Sequence, residues 1–308
     1  MTAAGRRAVA PAVAALVLAT AAHASAYAFL LVPGSGGVER RWADDGPDGP
    51  VVAWRLSSAR ASNVTGDRAP VDVLSDAFAA WQDLPDAAIR FEFAGAARDR
   101  NRRPADRVNV LTLDSQESLG PGVLAATFLT SAAGGALTDA DIVFNTGVPF
   151  TTSAEPEIDR YDLQAIATHE IGHLIGLEHS GLVRATMVPY SERGESHGRT
   201  LSSDDAIAAA LLYPEGDFLA RTGAIEGRVT VGGAPVFLAH VVAATVSGLV
   251  VAGGFTAPDG RYRIAGLPED VYVVAAEPLD GPVRPPNVQG FAAGFGGDAT
   301  IGYGASFH

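Results

Sequence analysis

The chain has 308 residues, 47% of them hydrophobic and 19% charged, which is typical of folded globular domains. Its formal net charge of −13 argues against nucleic acid as a partner, because a phosphate backbone is bound by clustered cations. The absence of cysteine excludes disulfides, thiolate metal ligands and cysteine nucleophiles.

Residues 1–26 have the pattern of a signal peptide for export. Arg6 and Arg7 precede a long apolar run, and small residues allow cleavage after Ala24 or Ala26. The alternative is an uncleaved membrane anchor, since no charged residue follows Arg7 for a long stretch. No later stretch is long and apolar enough to span a membrane. We therefore expect a secreted protein, which is either released or associated with the cell surface.

Residues 27–215 alternate between strand and helix patterns. Alternating or apolar runs predict strands at 51–58, 89–95, 107–114, 122–130 and 141–145. Helical spacing predicts helices at 69–85, 158–177 and 201–214. Asp159 or Asp162 is suited to cap the second helix, and Pro214 closes the third. This order of elements indicates an α+β domain.

The composition changes after a predicted linker at 216–222. Over 223–282, short β-rich runs alternate with turns, which predicts a small all-β antiparallel sandwich. Residues 283–308 form a tail that is rich in glycine and proline and has no periodicity. We expect this tail either to be flexible or to form an edge of the sandwich.

The stretch HEIGHLIGLEH, residues 169–179, holds three of the seven histidines of the chain. Side chains four residues apart project from the same face of a helix, so His169 and His173 can approach one ion. Gly176 lets the chain leave the helix, and His179 can then return from the following turn. The segment therefore has the spacing of a metal site.

Three imidazoles make a zinc site with an open fourth position, which is the catalytic arrangement. Glu170 lies beside the first histidine, where it can accept a proton from a water that zinc activates. The alternative is a surface helix with scattered histidines. H-E-x-x-H alone arises by chance on the order of once in a hundred such chains, and the added glycine and third histidine make chance far rarer. The spacing therefore favours the zinc site.

The pattern H-E-x-x-H-x-x-G-x-x-H is similar to the signature of the metzincin metalloproteases. Ser180, directly after the third histidine, resembles the matrixin branch of that family. The segments GVLAATF, DADIVFN, ATMVP and LSSDDAIAAALLYP resemble further matrixin segments. The resemblance covers roughly Val51–Pro214 and implies a metzincin fold, with a twisted mixed sheet of about five strands and three helices.

The resemblance also implies roles for individual residues. His169, His173 and His179 would bind one catalytic zinc, and Glu170 would be the general base. Met187 would pack beneath the zinc without binding it. The backbone of Leu124 and Ala125 would pair with an extended peptide, and Pro189 and Tyr190 would form part of the wall of a side-chain pocket. Asp204 and Asp205 would have a structural role, of which the alternative is a solvated first turn of a helix.

The chain departs from the matrixin pattern in three places. Without cysteine, a propeptide thiol cannot hold the enzyme latent. Tyr190 follows Pro189 directly, which alters the predicted pocket. Ala126 stands where animal matrixins have a histidine of a second, structural zinc, so we expect one zinc.

A calcium site is a further possibility of this region. Asp139 and Asp141, with loop carbonyls near Gly134 and Gly135, offer the oxygen ligands that Ca²⁺ takes. The alternative is an ordinary polar loop. Calcium is therefore a secondary expectation beside the catalytic zinc.

Residues 223–276 resemble the transthyretin-like sandwich called the carboxypeptidase regulatory-like domain, through GRVTVGGAPV, TAPDGRYRIAGLP and YVVAA. We expect a monomeric secreted zinc endopeptidase whose partner is a protein or peptide substrate. One rival is a catalytically silent surface or adhesion protein on the same scaffold, and another is a processing factor with a single partner. Since all these chemical residues precede Gly216, we expect the sandwich to be dispensable for catalysis.

Overall fold

A computed structural model of the chain describes most residues after the predicted signal peptide. The described residues are 27–43, 46, 48–57, 61–296, 299, 304, 306 and 307. The signal peptide at 1–26 lies outside them. Within the described ranges, none of the helices combines the length and the hydropathy that crossing a membrane requires.

One mixed sheet organises the N-terminal part of the chain. The strands of this part are β1 (Arg41–Trp42), β2 (Val51–Leu56), β3 (Val64–Thr65), β4 (Arg90–Ala96), β5 (Asn109–Thr112), β6 (Ala125–Ser131), β7 (Ala136–Phe144), β8 (Phe150–Thr151) and β9 (Tyr161–Asp162). Strands β4, β2, β5 and β7 lie side by side and parallel, and β6 pairs antiparallel with β7. Strand β1 pairs with the start of β7, and β3, β8 and β9 form a separate small sheet. The predicted mixed sheet of about five strands is confirmed.

Three helices accompany this sheet, as predicted. They are α1 (Pro70–Gln82), α2 (Leu163–Leu174) and α3 (Ser203–Leu212). Helix α1 buries Leu74, Phe78 and Trp81 at helical spacing. The indole Nε1 of Trp81 donates to the carbonyl of Thr168 in α2 at 2.8 Å. Helix α1 thereby supports the helix that carries the histidine motif.

Helix α2 is shorter than the predicted 158–177. Residues Tyr161–Asp162 pair with β8 as strand β9, and the side chain of Asp162 then accepts from the Ala165 amide at 2.8 Å. Asp162 is therefore the N-cap, and Asp159 is not. The helix ends before Gly176, whose φ of +108° turns the chain away.

The C-terminal part contains a short helix α4 (Phe218–Arg221) followed by antiparallel strands. These are β10 (Gly223–Arg228), β11 (Thr230–Val231), β12 (Ala234–Pro235), β13 (His240–Thr245), β14 (Val250–Phe255), β15 (Arg261–Leu267), β16 (Tyr272–Glu277) and β17 (Ser306–Phe307). Strands β14, β13, β16 and β17 form one sheet in that order. Strand β10 pairs with β15, and β11 pairs with β12. The predicted antiparallel β region is confirmed.

Helix α3 joins the two parts of the molecule. The hydroxyl of Ser203 donates to the carbonyl of Val251 at 2.7 Å, and the Gly253 amide donates to Asp204 Oδ1 at 2.8 Å. Gly266 lies so close to Ile207 that an added Cβ would be 2.6 Å from its Cγ2. The hydrophobic core is continuous across this junction.

The C-terminal tail has more structure than the sequence indicated. Pro285–Val288 form a 3₁₀ turn, Gln289–Phe295 form helix α5, and β17 pairs with β16 at the sheet edge. Strand β17 thus lies at an edge, which was one of the two expectations, and residues 285–295 form helical turns that the sequence did not indicate. Helix α5 packs closely at Gly290 and Gly294. Because glycine has no apolar side chain, this packing face gives no hydrophobic periodicity in the sequence.

Candidate metal centre and active site

Three imidazoles converge at the end of helix α2. His169 and His173 project from successive turns of the helix, and His179 returns from the segment after Gly176. One ring nitrogen of each lies within 4.8 Å of the others. An added Cβ on Gly176 would be 2.1 Å from the Arg40 carbonyl oxygen, so glycine is required at this bend. In the described part of the chain, no other group of three His, Asp or Glu side chains is this compact.

Each ring is oriented through its other nitrogen. All three Nδ1 atoms lie within hydrogen-bond distance of main-chain carbonyls, so in the neutral ring Nδ1 carries the proton and Nε2, which faces the centre, keeps its lone pair. The pairs are His169 with Thr186 at 2.8 Å, His173 with Leu177 at 2.7 Å, and His179 with Asn287 at 2.5 Å.

The geometry of these nitrogens fits a bound cation. Nε2 of His173 and Nε2 of His179 are 3.2 Å apart. In the tautomers that donate from Nδ1, both neutral rings present a lone pair here, and two lone pairs repel one another unless a cation lies between them. Two tetrahedral ligands at about 2.0–2.1 Å from zinc are separated by about 3.3–3.4 Å, close to the observed spacing.

Burial keeps His169 and His173 in the form that binds metal. The pKa of His169 is lowered to about 3 by burial and then by the nearby His179 ring, although the bond to Thr186 opposes this. The pKa of His173 is lowered well below its usual value for the same first reason. Neutral imidazoles are the ligands that zinc takes, so these rings need lose no proton on binding.

Glu170 is buried beside the triad and has a partner of its own. The Thr127 hydroxyl, on strand β6, donates to Glu170 Oε2 at 2.6 Å and approaches the Glu170 carbonyl at 3.0 Å. Burial raises the pKa of Glu170 to about 7, and the Thr127 bond acts against this rise. A carboxyl group with such a pKa can both accept and return a proton near neutral pH.

A cleft of about 320 Å³ opens in front of the triad. It is lined on one side by Leu124 and Ala125 and on another by Val188, Pro189 and Tyr190. Strand β6 pairs with β7 along one edge, and no described strand covers its other edge. An extended chain can add to such an edge by main-chain hydrogen bonds.

The sequence profile of the matrixin family matches residues 42–214, more than half of the chain. The match contains the sheet, helices α1 to α3 and all three histidines. The chain belongs to the matrixin family. Its histidine triad is the catalytic zinc site typical of matrixins.

Several curated proteins match shorter stretches of this matrixin. Matrix metalloproteinase-16 of Homo sapiens is 36% identical over 73 residues, which are 24% of this chain and 12% of that protein. Karilysin of Tannerella forsythia is 46% identical over 52 residues, 17% of this chain and 10% of that protein. Metalloendoproteinase 1 of Glycine max is 35% identical over 94 residues, 30% of each protein. The chain thus spans at most about a third of the length of these relatives.

Met187 packs directly under the helix that carries the first two ligands. An added Cβ on Gly172 would be 2.1 Å from Met187 Sδ, which explains why glycine stands between the histidines. The carboxylate of Asp205 accepts from the amides of Thr186 and Met187 at 2.7 and 3.0 Å. Met187 is therefore a packed floor, held from helix α3.

The paired aspartates of helix α3 are buried rather than solvated. Asp204 accepts from the Ser180 hydroxyl at 2.7 Å and from the Gly253 amide. Asp205 forms a capping box with Ser202 at the start of the helix. Both carboxylates thus have structural roles in this matrixin.

The histidines outside the triad are dispersed. His197 pairs with Glu195 at the surface, and His240 pairs with Glu277 in the C-terminal β region. His308 lies outside the described residues. A single zinc remains the prediction, since Ala126 on β6 offers no ligand.

Asp139 and Asp141 are buried on strand β7. Asp139 accepts from the Ala105 amide at 3.0 Å and Asp141 from the Val110 amide at 2.9 Å. One oxygen of each has no hydrogen-bond partner among the described residues, and burial raises the pKa of Asp141 to about 7. The Gly135 carbonyl already accepts from the Arg41 amide. Calcium at this position remains a prediction.

Sequence reasoning missed the residues that orient the catalytic groups. They are Thr127, Thr186, Glu178 and Asn287. Thr127 and Asn287 reach the histidine motif from distant segments, and Glu178 connects the motif to distant helix α5. Thr186 and Asn287 act through main-chain carbonyls, which any residue type supplies. Glu178 lies within the motif itself, but nothing in the sequence indicates the contact that it makes with helix α5.

Proposed function

We propose that this matrixin is a zinc-dependent endopeptidase that hydrolyses peptide bonds. The observation that carries the proposal is the buried Glu170 carboxyl beside three imidazoles whose Nε2 atoms face one centre. Bound zinc would polarise the scissile carbonyl and acidify a water molecule. His169, His173 and His179 would hold it.

The residues of the chain then handle the proton and the substrate. Thr127 donates to Glu170 Oε2, which leaves Oε1 to accept the proton of the attacking water in this proposal. Glu170 afterwards returns this proton to the amine that leaves. Leu124 and Ala125 would pair with the peptide backbone, and Pro189 and Tyr190 would contact a substrate side chain; their positions in the cleft support these roles.

We also propose an export route and a domain organisation for this matrixin. Residues 1–26 would direct export, and the mature protein would be secreted and monomeric. The catalytic domain would comprise 27–215, joined by 216–222 to a carboxypeptidase regulatory-like module at 223–282. The sequence pattern of each segment supports this division.

The test is Glu170→Ala in the mature full-length chain, with the exposed Glu155→Ala as the control. The zinc ligands remain, so zinc should stay near one per chain by metal analysis. Hydrolysis of a peptide library should fall at least ~100-fold, because a general base is lost. Hydrolysis by Glu170→Ala at the parent rate with zinc bound, or no hydrolysis by the zinc-loaded parent, would overturn the proposal.

A further inference from the structure

His179 differs from the other two zinc ligands in where its orienting carbonyl comes from. His169 and His173 donate to Thr186 and Leu177, which lie within the region that the matrixin profile matches. His179 donates instead to the carbonyl of Asn287, which is 108 residues further along the chain. One ligand is thus oriented from outside the catalytic domain.

A buried carboxylate ties the same two segments together. Glu178, 5% exposed, accepts from the His179 amide through Oε1 at 2.9 Å. Its Oε2 accepts from the Phe291 amide in helix α5 at 3.2 Å. The main chain of the ligand and the first turn of α5 are therefore held by one side chain, whose loss would leave buried donors unpaired.

Asn287 also connects the zinc ligand to the wall of the cleft. Its side-chain Oδ1 accepts from the Arg284 amide at 2.9 Å and so caps the 3₁₀ turn, which the Asn287 amide closes by donating to the Arg284 carbonyl at 2.8 Å. The same oxygen accepts from the Tyr190 hydroxyl at 3.0 Å. Asn287 thus contacts His179 through its main chain and Tyr190 through its side chain.

Close packing holds the segment in this position. An added Cβ on Gly290 would be 2.4 Å from Glu178 Oε2 and 2.5 Å from Leu30 Cδ2. An added Cβ on Gly294 would be 2.5 Å from Leu31 Cβ. A side chain at Gly290 would have to displace the Glu178 carboxylate and Leu30, and one at Gly294 would have to displace Leu31.

We infer that the C-terminal segment Arg284–Phe295 is a working part of the zinc site, in which the Asn287 carbonyl is the positioning group for His179. Groups that fix the second nitrogen of a metal-bound histidine typically contribute 10–100-fold to metal affinity. The catalytic domain alone is then incomplete. We accordingly expect a chain ending near Gly216 to bind zinc weakly, contrary to the expectation from the sequence.

The experiment measures zinc affinity of the full-length mature protein by competition with a chelator. Gly290→Ala should push the Glu178 carboxylate away from its bond to the Phe291 amide, loosen the hold on α5 and raise the zinc Kd at least about tenfold. Gly281→Ala is the matched control, because a Cβ there has nothing within 4 Å, and its Kd should stay within about twofold of the parent. The absorption bands of the cobalt-substituted protein should shift in Gly290→Ala and should not shift in the control Gly281→Ala.

Milder variants decide the matter if Gly290→Ala does not fold. Asn287→Ala removes the oxygen that caps the turn and accepts from Tyr190, and should also raise the zinc Kd, whereas Asn287→Asp keeps that oxygen and should have the Kd of the parent. A merely structural role would lower Tm and leave the zinc Kd of the folded protein unchanged. Unchanged Kd in folded Asn287→Ala overturns the inference.

The inference rests on the proposed function only for the identity of the metal. Weaker zinc binding in Gly290→Ala or Asn287→Ala supports it even if the parent hydrolyses no peptide, a result that overturns the proposed function alone.

Discussion

Thr127 is the side chain that holds Glu170, the proposed general base. Its hydroxyl can donate one hydrogen bond, and the shorter of its two contacts with Glu170 is to the carboxylate at 2.6 Å. A bond to a charged acceptor favours the ionised form and contributes about 1.5–3 kcal/mol. This contribution opposes the burial that raises the pKa of Glu170 to about 7.

The first prediction concerns Thr127→Val, which is nearly isosteric but cannot donate. We expect kcat/KM to fall about tenfold at neutral pH, which corresponds to about 1.4 kcal/mol. Loss of the bond raises the pKa of Glu170, and the base acts only when deprotonated, so the acid limb of the pH profile should move to higher pH. Thr127→Ser should behave as the parent does. An unmoved acid limb in Thr127→Val would show that the bond does not act on Glu170.

At the scale of elements, the start of helix α3 fixes the turn that contains Met187. Asp205 is 1% exposed and accepts from the amides of Thr186, Met187 and Ser202 and from the Ser202 hydroxyl. The carbonyl of Thr186 in turn orients His169. Asp205 thus acts on the zinc site indirectly, because it holds the main chain of Thr186, whose carbonyl orients His169.

The second prediction is therefore that Asp205→Ala affects both stability and metal binding. Two buried amides in the Met187 turn would lose their acceptor, which costs about 1–3 kcal/mol each. The free energy of unfolding in urea should fall by at least about 2 kcal/mol, and zinc affinity should fall with it. Asp67→Ala, at an exposed position, should change stability by less than about 0.5 kcal/mol. Equal stability of the two variants would contradict the assignment.

At the scale of the whole molecule, Asp204 is the charge at the junction between the two parts. It accepts from Ser180, next to the last zinc ligand, and from Gly253 in the C-terminal β region. Burial, and then the neighbouring Asp205, raise the pKa of Asp204 to about 7 from 3.8. Ionisation of this group therefore works against the folded state.

The third prediction follows from the sign of that shift. A carboxyl whose pKa is raised on folding contributes stability that is complete below about pH 4 and is lost as pH rises towards about 7. Asp204→Asn keeps the shape and does not ionise. Its stability relative to the parent, measured by urea unfolding, should therefore increase between pH 4 and pH 7 and then stay constant. Asp67→Asn should show no such trend, and a pH-independent difference for Asp204→Asn would refute the raised pKa.

The sequence predicted the parts of the fold that depend on local periodicity. Alternating strands, amphipathic helices and the spacing of His169 and His173 follow from rise and turn per residue, which neighbours along the chain determine. The boundaries were less accurate where tertiary pairing competed, as at Tyr161–Asp162, which pair with β8 instead of extending α2. The structure of the tail was not predicted because Gly290 and Gly294 pack closely where a side chain would not fit without displacing its neighbours, and glycine gives no apolar pattern.

The sequence by itself determined that this chain is a matrixin with a zinc triad, because two ligands lie one helical turn apart and the third follows a fixed glycine bend. Only the tertiary structure decided what orients those ligands and Glu170. The hydroxyl of Thr127, the carboxylate of Asp205 and the carbonyl of Asn287 reach the site from a strand, another helix and the C-terminal segment. Such contacts join residues far apart in the chain and follow from packing, which leaves no periodic pattern in the sequence.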